Sequence, residues 1–186
     1  MSKKQEDILN TSIKLFNEYG FVNVGVDRII HDSNVAKMTF YKYFPSKDNL
    51  IRECLLERDK LIRKSIMQAL SSCDDGIAKL KGLFDWYANW FKQKDFFGCM
   101  FVKANDELIH DVLLIPIIIE HKTWLTNTIA IVLKDIKTEL SASQIRIILD
   151  GATVNENVYG DNAAITESWA LIETMLNYAK LNLHTL

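Results

Sequence analysis

Two prolines and seven glycines in 186 residues leave the chain few places to turn sharply. A strand-rich fold needs turns at short intervals, usually built on those residue types. The shortage therefore points to helices with short connections. Cysteine is equally scarce. Cys54, Cys73 and Cys99 are far apart and odd in number, with no Cys-x-x-Cys or Cys/His spacing. That argues against a disulfide framework and against a structural zinc site, and fits a reducing compartment. Long apolar runs are missing too. The longest, Val112 to Ile119, is too short to span a bilayer and contains Pro116. The opening residues, MSKKQED, lack the apolar stretch of a secretion signal. The expectation is a soluble cytoplasmic protein with no membrane partner. Excess charge is absent as well: the net value of −2 does not by itself suggest a nucleic-acid partner.

What the chain does have is apolar substance, 48% of its residues, enough for a sizeable core without staples. It is arranged at helical spacing. Ser2-Lys3-Lys4-Gln5 has the form of a capping box opening a first helix, which Gly20 is placed to end as a left-handed cap. A short helix from Val26 is followed by a break at Asn34 and a second short helix, about Lys37 to Phe44, that stops at Pro45. Ser46 can cap a long fourth helix to about Leu70. Later helices are read over about Ile77 to Lys92, Met100 to Leu113, Pro116 to Lys137, Ser141 to Tyr159 and Ala163 to Leu183. The predicted fold is all-α, about nine helices. Residues 1–46 form a three-helix head and 47–186 a helical body, with the fourth helix (47–70) bridging them.

Function is most legible in residues 21–50. Two short helices separated by a tight break form a helix-turn-helix, a device that places its second helix in the major groove of DNA. From Val35 to Lys47 there are three lysines and no acid. Residues 1–52 hold eight Lys/Arg against six Asp/Glu, a mild basic bias. The second short helix is expected to turn Phe40, Tyr41 and Phe44 inward and Thr39, Lys42 and Tyr43 outward. Thr39, Lys42 and Tyr43 can meet phosphates or base edges, or form an ordinary wet face. Tyr41 is expected mainly to pack, with its hydroxyl emerging at the DNA. Lys37 stands at the end that enters the groove. Lys47 lies in the first turn of the fourth helix, where a cation is disfavoured by the helix dipole unless a phosphate docks there. Arg28 either reaches DNA or pairs with Asp32 four residues on. Lys3 and Lys4 either touch the adjacent backbone or belong to a free terminus.

This region resembles the tetracycline-repressor-like (TetR) family of bacterial transcriptional regulators. The resemblance covers about residues 5–52 and is carried by Ile8, Phe16, Gly20, Ala36 to Lys47 and Leu50, above all by Thr39-Phe40-Tyr41-Lys42-Tyr43-Phe44-Pro45-Ser46-Lys47-Asp48-Asn49-Leu50. Three positions depart from the family pattern. Ala36 stands where serine often caps the second short helix, a loss of about 1 kcal/mol. Met38 stands where glycine is frequent, which alters how the helix start approaches DNA. Asn34 replaces a frequent glycine and tolerates left-handed geometry.

The resemblance implies a sequence-specific DNA-binding regulator, a repressor released from a palindromic operator by a small-molecule effector. It implies a homodimer closed by the last two helices, with Ile145, Ile148, Leu149, Ala152, Ile165, Trp169, Ile172, Met175, Leu176 and Ala179 as the apolar stripes; the same stripes could close only the protomer's own core, or, since each helix is long, serve both. It also implies an effector pocket in the body, for which Trp86, Trp90, Phe101, Asn105 and Trp124 are candidates. No cofactor is expected, and no catalytic residues are recognised, so the chain is not read as an enzyme. His110, Asp111, Glu120 and His121 do not present metal ligands on one helix face. Cys99 is read as an inert thiol rather than a redox sensor. The competing function is a DNA-bound architectural protein whose body binds a protein partner instead of a small ligand.

Overall fold

The computed structural model describes residues 1–108 and 111–183, with side chains as far as residue 177. Among the described residues there are nine α-helices and no strand. They are α1 (Lys3–Tyr19), α2 (Val26–Asp32), α3 (Lys37–Tyr43), α4 (Lys47–Ser71), α5 (Ile77–Phe91), α6 (Met100–Glu107), α7 (Ile115–Leu133), α8 (Ala142–Tyr159) and α9 (Ala163–Leu183). The chain divides into two compact units, Met1–Ile62 with Cys99–His121, and Arg63–Gly98 with Lys122–Leu186. Each division falls within a helix or beside one, so α4 and α7 contribute residues to both units. None of the described helices is long and apolar enough to cross a membrane.

The first unit is organised by α1. Ser2 caps it, its Oγ accepting the Gln5 N–H at 3.3 Å. Ile8, Phe16, Phe21, Ile29, Phe40, Leu50, Leu55 and Phe101 are fully withdrawn from water and form one core. Each such side chain contributes about 1.5–3 kcal/mol on burial. Phe16 and Phe21 stack across the end of α1, with ring centroids 5.0 Å apart. Gly20 does not adopt the left-handed cap its position suggested. Its φ is +82° but its ψ is 166°. The reason lies on α6: Glu107 Oε2 accepts the N–H groups of Phe21 at 2.7 Å and Val22 at 2.9 Å, which anchors the turn over residues 21–23 as the chain leaves α1. Lys103, one turn earlier on α6, donates to the Asn17 carbonyl at 2.5 Å.

The sixth helix is shorter than its periodicity predicts. It ends at Glu107 rather than near Leu113, and Leu108 leaves helical geometry at φ −124°, ψ 35°. Asp111 then bends the chain, its Oδ1 accepting the Leu113 N–H at 3.0 Å, a local side-chain turn that competes with helix. The seventh helix restarts at Ile115 and stops at Leu133, four residues before the expected Lys137, where three-residue turns take over. Within this unit His121 stacks flat on Phe101, centroids 3.7 Å apart, and bonds Asp59 at 2.7 Å.

In the second unit, α8 and α9 form a helical hairpin. Ser141 and Gln144 make both halves of a capping box, at 3.2 and 2.8 Å. Gly160 ends α8 as a true left-handed cap, φ 65° and ψ 26°. The interior is filled by Leu80, Leu83, Phe84, Ile129, Ile145, Leu149, Ile172 and their neighbours. An aromatic cluster runs along α5 and just beyond it: Trp86, Tyr87, Trp90, Phe91 and Phe96, with neighbouring centroids 4.9 to 5.9 Å apart.

Candidate nucleic-acid interface

The turn between α2 and α3 is held by local bonds. Ser33 is buried and its Oγ donates to the Ile29 carbonyl at 2.6 Å. The Val35 N–H reaches the Ile30 carbonyl at 3.3 Å. Asn34 supplies the left-handed residue, φ 52°, a conformation open to asparagine because its short polar side chain can bond locally. Ala36 begins α3 in extended geometry with no side-chain cap bond.

Of α3's seven residues only Phe40 is buried. At about 100° per residue, Tyr43 and Phe44 fall on Phe40's side of the helix, Thr39 and Tyr41 on its flanks, and Met38 and Lys42 opposite. This corrects the expected assignment of the two tyrosines. Tyr43 is half-buried and packs against the core, whereas Tyr41 is 44% exposed and touches Phe40 edge-on at 5.2 Å. The i, i+3 neighbour of a buried residue leans inward; its i+1 neighbour does not. Thr39 is half-buried, and Lys42 is exposed, its Nζ 5.7 Å from the Tyr43 ring centroid. Met38, which charge and hydrogen-bonding arguments pass over, is 86% exposed at the centre of the outward face. Its spacing of four from Lys42 was the available signal.

The other candidates have protein partners. Lys37 Nζ lies 3.6 Å from Asp27 Oδ1, both side chains well exposed. Arg28 takes its intrahelical option: Nε is 3.5 Å from Asp32 Oδ2, and the guanidinium lies 4.1 Å over the Tyr19 ring. The Tyr19 contact, more than Asp32, raises the Arg28 pKa still further. His31 likewise bonds Asp32 at 2.7 Å and, ahead of Arg28, holds that carboxyl below its ordinary range. Exposed pairs of this kind stabilise little, less than a charge-assisted bond to phosphate. Lys37 and Arg28 can therefore be drawn off by a polyanion. Lys47 opens α4, where Ser46 Oγ accepts the Asn49 N–H at 3.0 Å. It is half-buried. Burial lowers its pKa, while Asp48 and Glu107 pull it back up.

The five effector candidates are divided between the two units. Trp86, Trp90 and Trp124 belong to the second unit, Phe101 and Asn105 to the first. Trp86 and Trp90 are 5.6 Å apart, and Trp86 Nε1 donates to Ser65 Oγ at 2.8 Å. Trp124 lies under the Arg63 guanidinium at 5.2 Å. Phe101 is taken up by core and His121, while Asn105 is exposed beside Asp106. A cavity of about 490 Å³ lies instead between α8 and α9, lined by Ile148, Ala152, Asn155, Tyr159, Ala163 and Leu171 among others.

Six of the interface candidates, Ile145, Leu149, Ala152, Ile165, Ile172 and Leu176, face into their own unit and are at most 4% exposed. Trp169 packs edge-on to Phe84 at 5.2 Å. Ile148 and Met175 are half-buried, and Ala179 lies outside the residues whose side chains are described. The apolar side chains left open on these helices are Ile147, Val154, Val158, Tyr159 and Leu171. Long helices carry two apolar stripes, and composition alone does not say which one the hairpin consumes. Of the residues weighed for a metal, His121 is engaged by Asp59 and Phe101, and His110 lies outside the described residues. Cys99 is half-buried at the start of α6.

Comparison with known proteins places this geometry. Residues 8–54 match the family described as bacterial regulatory proteins, tetR family. An uncharacterized HTH-type transcriptional regulator in the lacX 3′ region of Lactococcus lactis subsp. lactis is 27% identical over 97 residues, covering 51% of this chain and 50% of that protein. The HTH-type transcriptional regulator LmrA of Bacillus subtilis is 32% identical over 72 residues, 38% of each chain. The chain thus spans half or less of the lengths of these curated relatives. Among solved structures, a TetR-family transcriptional regulator of Streptomyces coelicolor superposes with a TM-score of 0.86 at 21% identity, over 95% of both chains. Reduced NemR of E. coli gives 0.84 at 17%, over 94% of this chain and 98% of the other. These two likenesses establish the fold, an N-terminal helix-turn-helix with a helical remainder. Residues 8–54 thus match the tetR family of bacterial regulatory proteins, and the chain as a whole shares the fold of the TetR-family structure.

Proposed function

We propose that the protein is a cytoplasmic, non-catalytic transcriptional regulator that binds a palindromic operator as a homodimer and is released from it by a small-molecule effector. The observation that carries the DNA-binding part is α3, which buries Phe40 alone and turns Lys37, Tyr41 and Lys42 to the outside. Lys42 and the hydroxyls of Tyr41, Tyr43 and Thr39 are suited to phosphate oxygens or base edges, and Lys37 to either once it leaves Asp27. Lys47 adds a phosphate contact at the start of α4. Residues 1–46 act as the reading head and 47–186 as the regulatory body.

One head makes too few contacts for specificity. Two heads one helical turn apart, about 34–36 Å, match an inverted repeat. The open residues on α8 and α9, Ile147, Val154, Val158, Tyr159 and Leu171, are the surface offered to a second copy. The aromatic cluster along α5 supports recognition of an apolar or aromatic effector by the second unit. An effector acts only through unequal affinity for the DNA-competent and DNA-incompetent states.

Selection from a random duplex library with the full chain tests this reading. Enrichment of an inverted repeat supports it. Recovery of no sequence above the starting pool contradicts it.

A further inference from the structure

We propose that Met38 reads thymine through its C5-methyl group, so that each operator half-site carries a thymine facing the first turn of α3. The inference rests on the DNA-binding reading above and adds a base to it. Met38 is 86% exposed. It lies on the side of α3 opposite Phe40, one turn before Lys42, with Lys37 beside it and Tyr41 on its flank. A single exposed apolar side chain is ordinary on a protein surface. This one stands where the helix presents its most outward point, between cations that draw that face onto a polyanion.

The chemistry of the side chain then limits what it can meet. A thioether donates no hydrogen bond and accepts only weakly. It gains nothing from a phosphate and cannot replace the water around a guanine or adenine edge. In the major groove the apolar group offered by the bases is the thymine C5-methyl. A flexible, polarisable, unbranched chain adapts to that methyl without fixing the helix at one depth. Where the lysines and hydroxyls beside it meet phosphate they bind regardless of sequence, so the methyl contact adds discrimination rather than bulk affinity.

The test removes one methyl at a time. The full chain is titrated by fluorescence anisotropy with the tightest duplex from a random-library selection, replacing each thymidine in turn by deoxyuridine. Expected is one symmetry-related pair of thymines at which uracil weakens binding about fourfold per site, the factor for one buried methyl-sized group. Met38→Ala should bind thymine and uracil duplexes alike, and Met38→Leu should keep most of the difference. A thymine-to-uracil ratio unchanged in Met38→Ala, or no thymine sensitive to the exchange in the wild type, overturns the inference while leaving DNA binding intact. A wild-type chain that selects no duplex overturns the reading beneath it as well.

Discussion

The carboxylate of Glu107 occupies the space that a Cβ on Gly20 would fill: such an atom would lie 2.5 Å from Oε1 and 3.0 Å from Oε2. The same carboxylate receives the N–H groups of Phe21 and Val22. Glycine at this position is therefore required twice, by its φ of +82° and by the group that lies against it. Gly20→Ala should destabilise the protein by about 2–4 kcal/mol, the sum of backbone strain and a displaced charge-assisted bond. Gly25→Ala is the control. A Cβ there meets nothing within 4 Å, and the cost should stay below about 1 kcal/mol. Urea unfolding of the two variants checks this; equal midpoints would remove Glu107 from the account of that corner.

Lys47 is expected to contact one phosphate. Lys47→Ala should weaken binding evenly across sequences and lower the salt slope by about one ion. Burial lowers this ammonium's pKa in the free protein, with Asp48 and Glu107 opposing the shift. A docked phosphate favours the charged form, so affinity is complete below the free-protein pKa and falls as pH rises through it, before the ordinary lysine value of about 10.4 is reached. Lys47→Arg keeps its charge and should lose this early fall. Binding isotherms at several salt concentrations and pH values measure both effects.

The two tyrosines of α3 should part company. Tyr43 packs against the core, so Tyr43→Ala should cost about 1–3 kcal/mol of stability. Tyr41 is more exposed, so Tyr41→Phe should leave stability unchanged and lose about 1 kcal/mol of DNA affinity with its hydroxyl. Thermal unfolding and anisotropy on the same samples separate these outcomes, and the reverse pattern would put Tyr41 inward and Tyr43 outward, as expected from the sequence.

Dimerisation separates the two stripes of α8 and α9. Val158 is 67% exposed and Leu171 49% exposed, while Ile145 and Leu149 are fully buried. The double variant Val158→Asp, Leu171→Asp should yield a folded monomer. Ile145→Asp should instead unfold its unit, because an unpaired carboxylate in that core costs several kcal/mol. Sedimentation velocity with circular dichroism reports both; a folded dimer from the double variant would move the interface elsewhere.

Much of this molecule was readable in the chain. The caps at Ser2 and Ser141, the break at Asn34 and the stop at Pro45 are local, and local chemistry determines them. The end of α6 was not readable: Leu108 leaves helical geometry although apolar spacing continues past it. Nor was the Glu107 clamp, whose donors are 85 and 86 residues away. The inward lean of Tyr43 follows from its spacing to Phe40 and was available to a stricter wheel. Ile145 and Leu149 lie on the inner of two apolar stripes of α8, and a sequence shows that both stripes are apolar, not which one its own hairpin covers. Trp86, Trp90, Phe101, Asn105 and Trp124 are effector candidates by residue type, and type does not say which unit a side chain joins.

If DNA meets the outward face of α3 as proposed, a paired charge reversal on and off that face will show it. Lys42→Glu places a negative charge on that face. Lys60→Glu makes the same change on α4, where Lys60 is 74% exposed beside Glu57. Titrated against one selected duplex at fixed salt, Lys42→Glu should lose roughly a hundredfold or more in affinity and Lys60→Glu no more than about threefold, since only the first change sets a like charge against phosphate. Equal losses from both variants would mean that the chain responds to net charge alone and that α3 does not face the duplex.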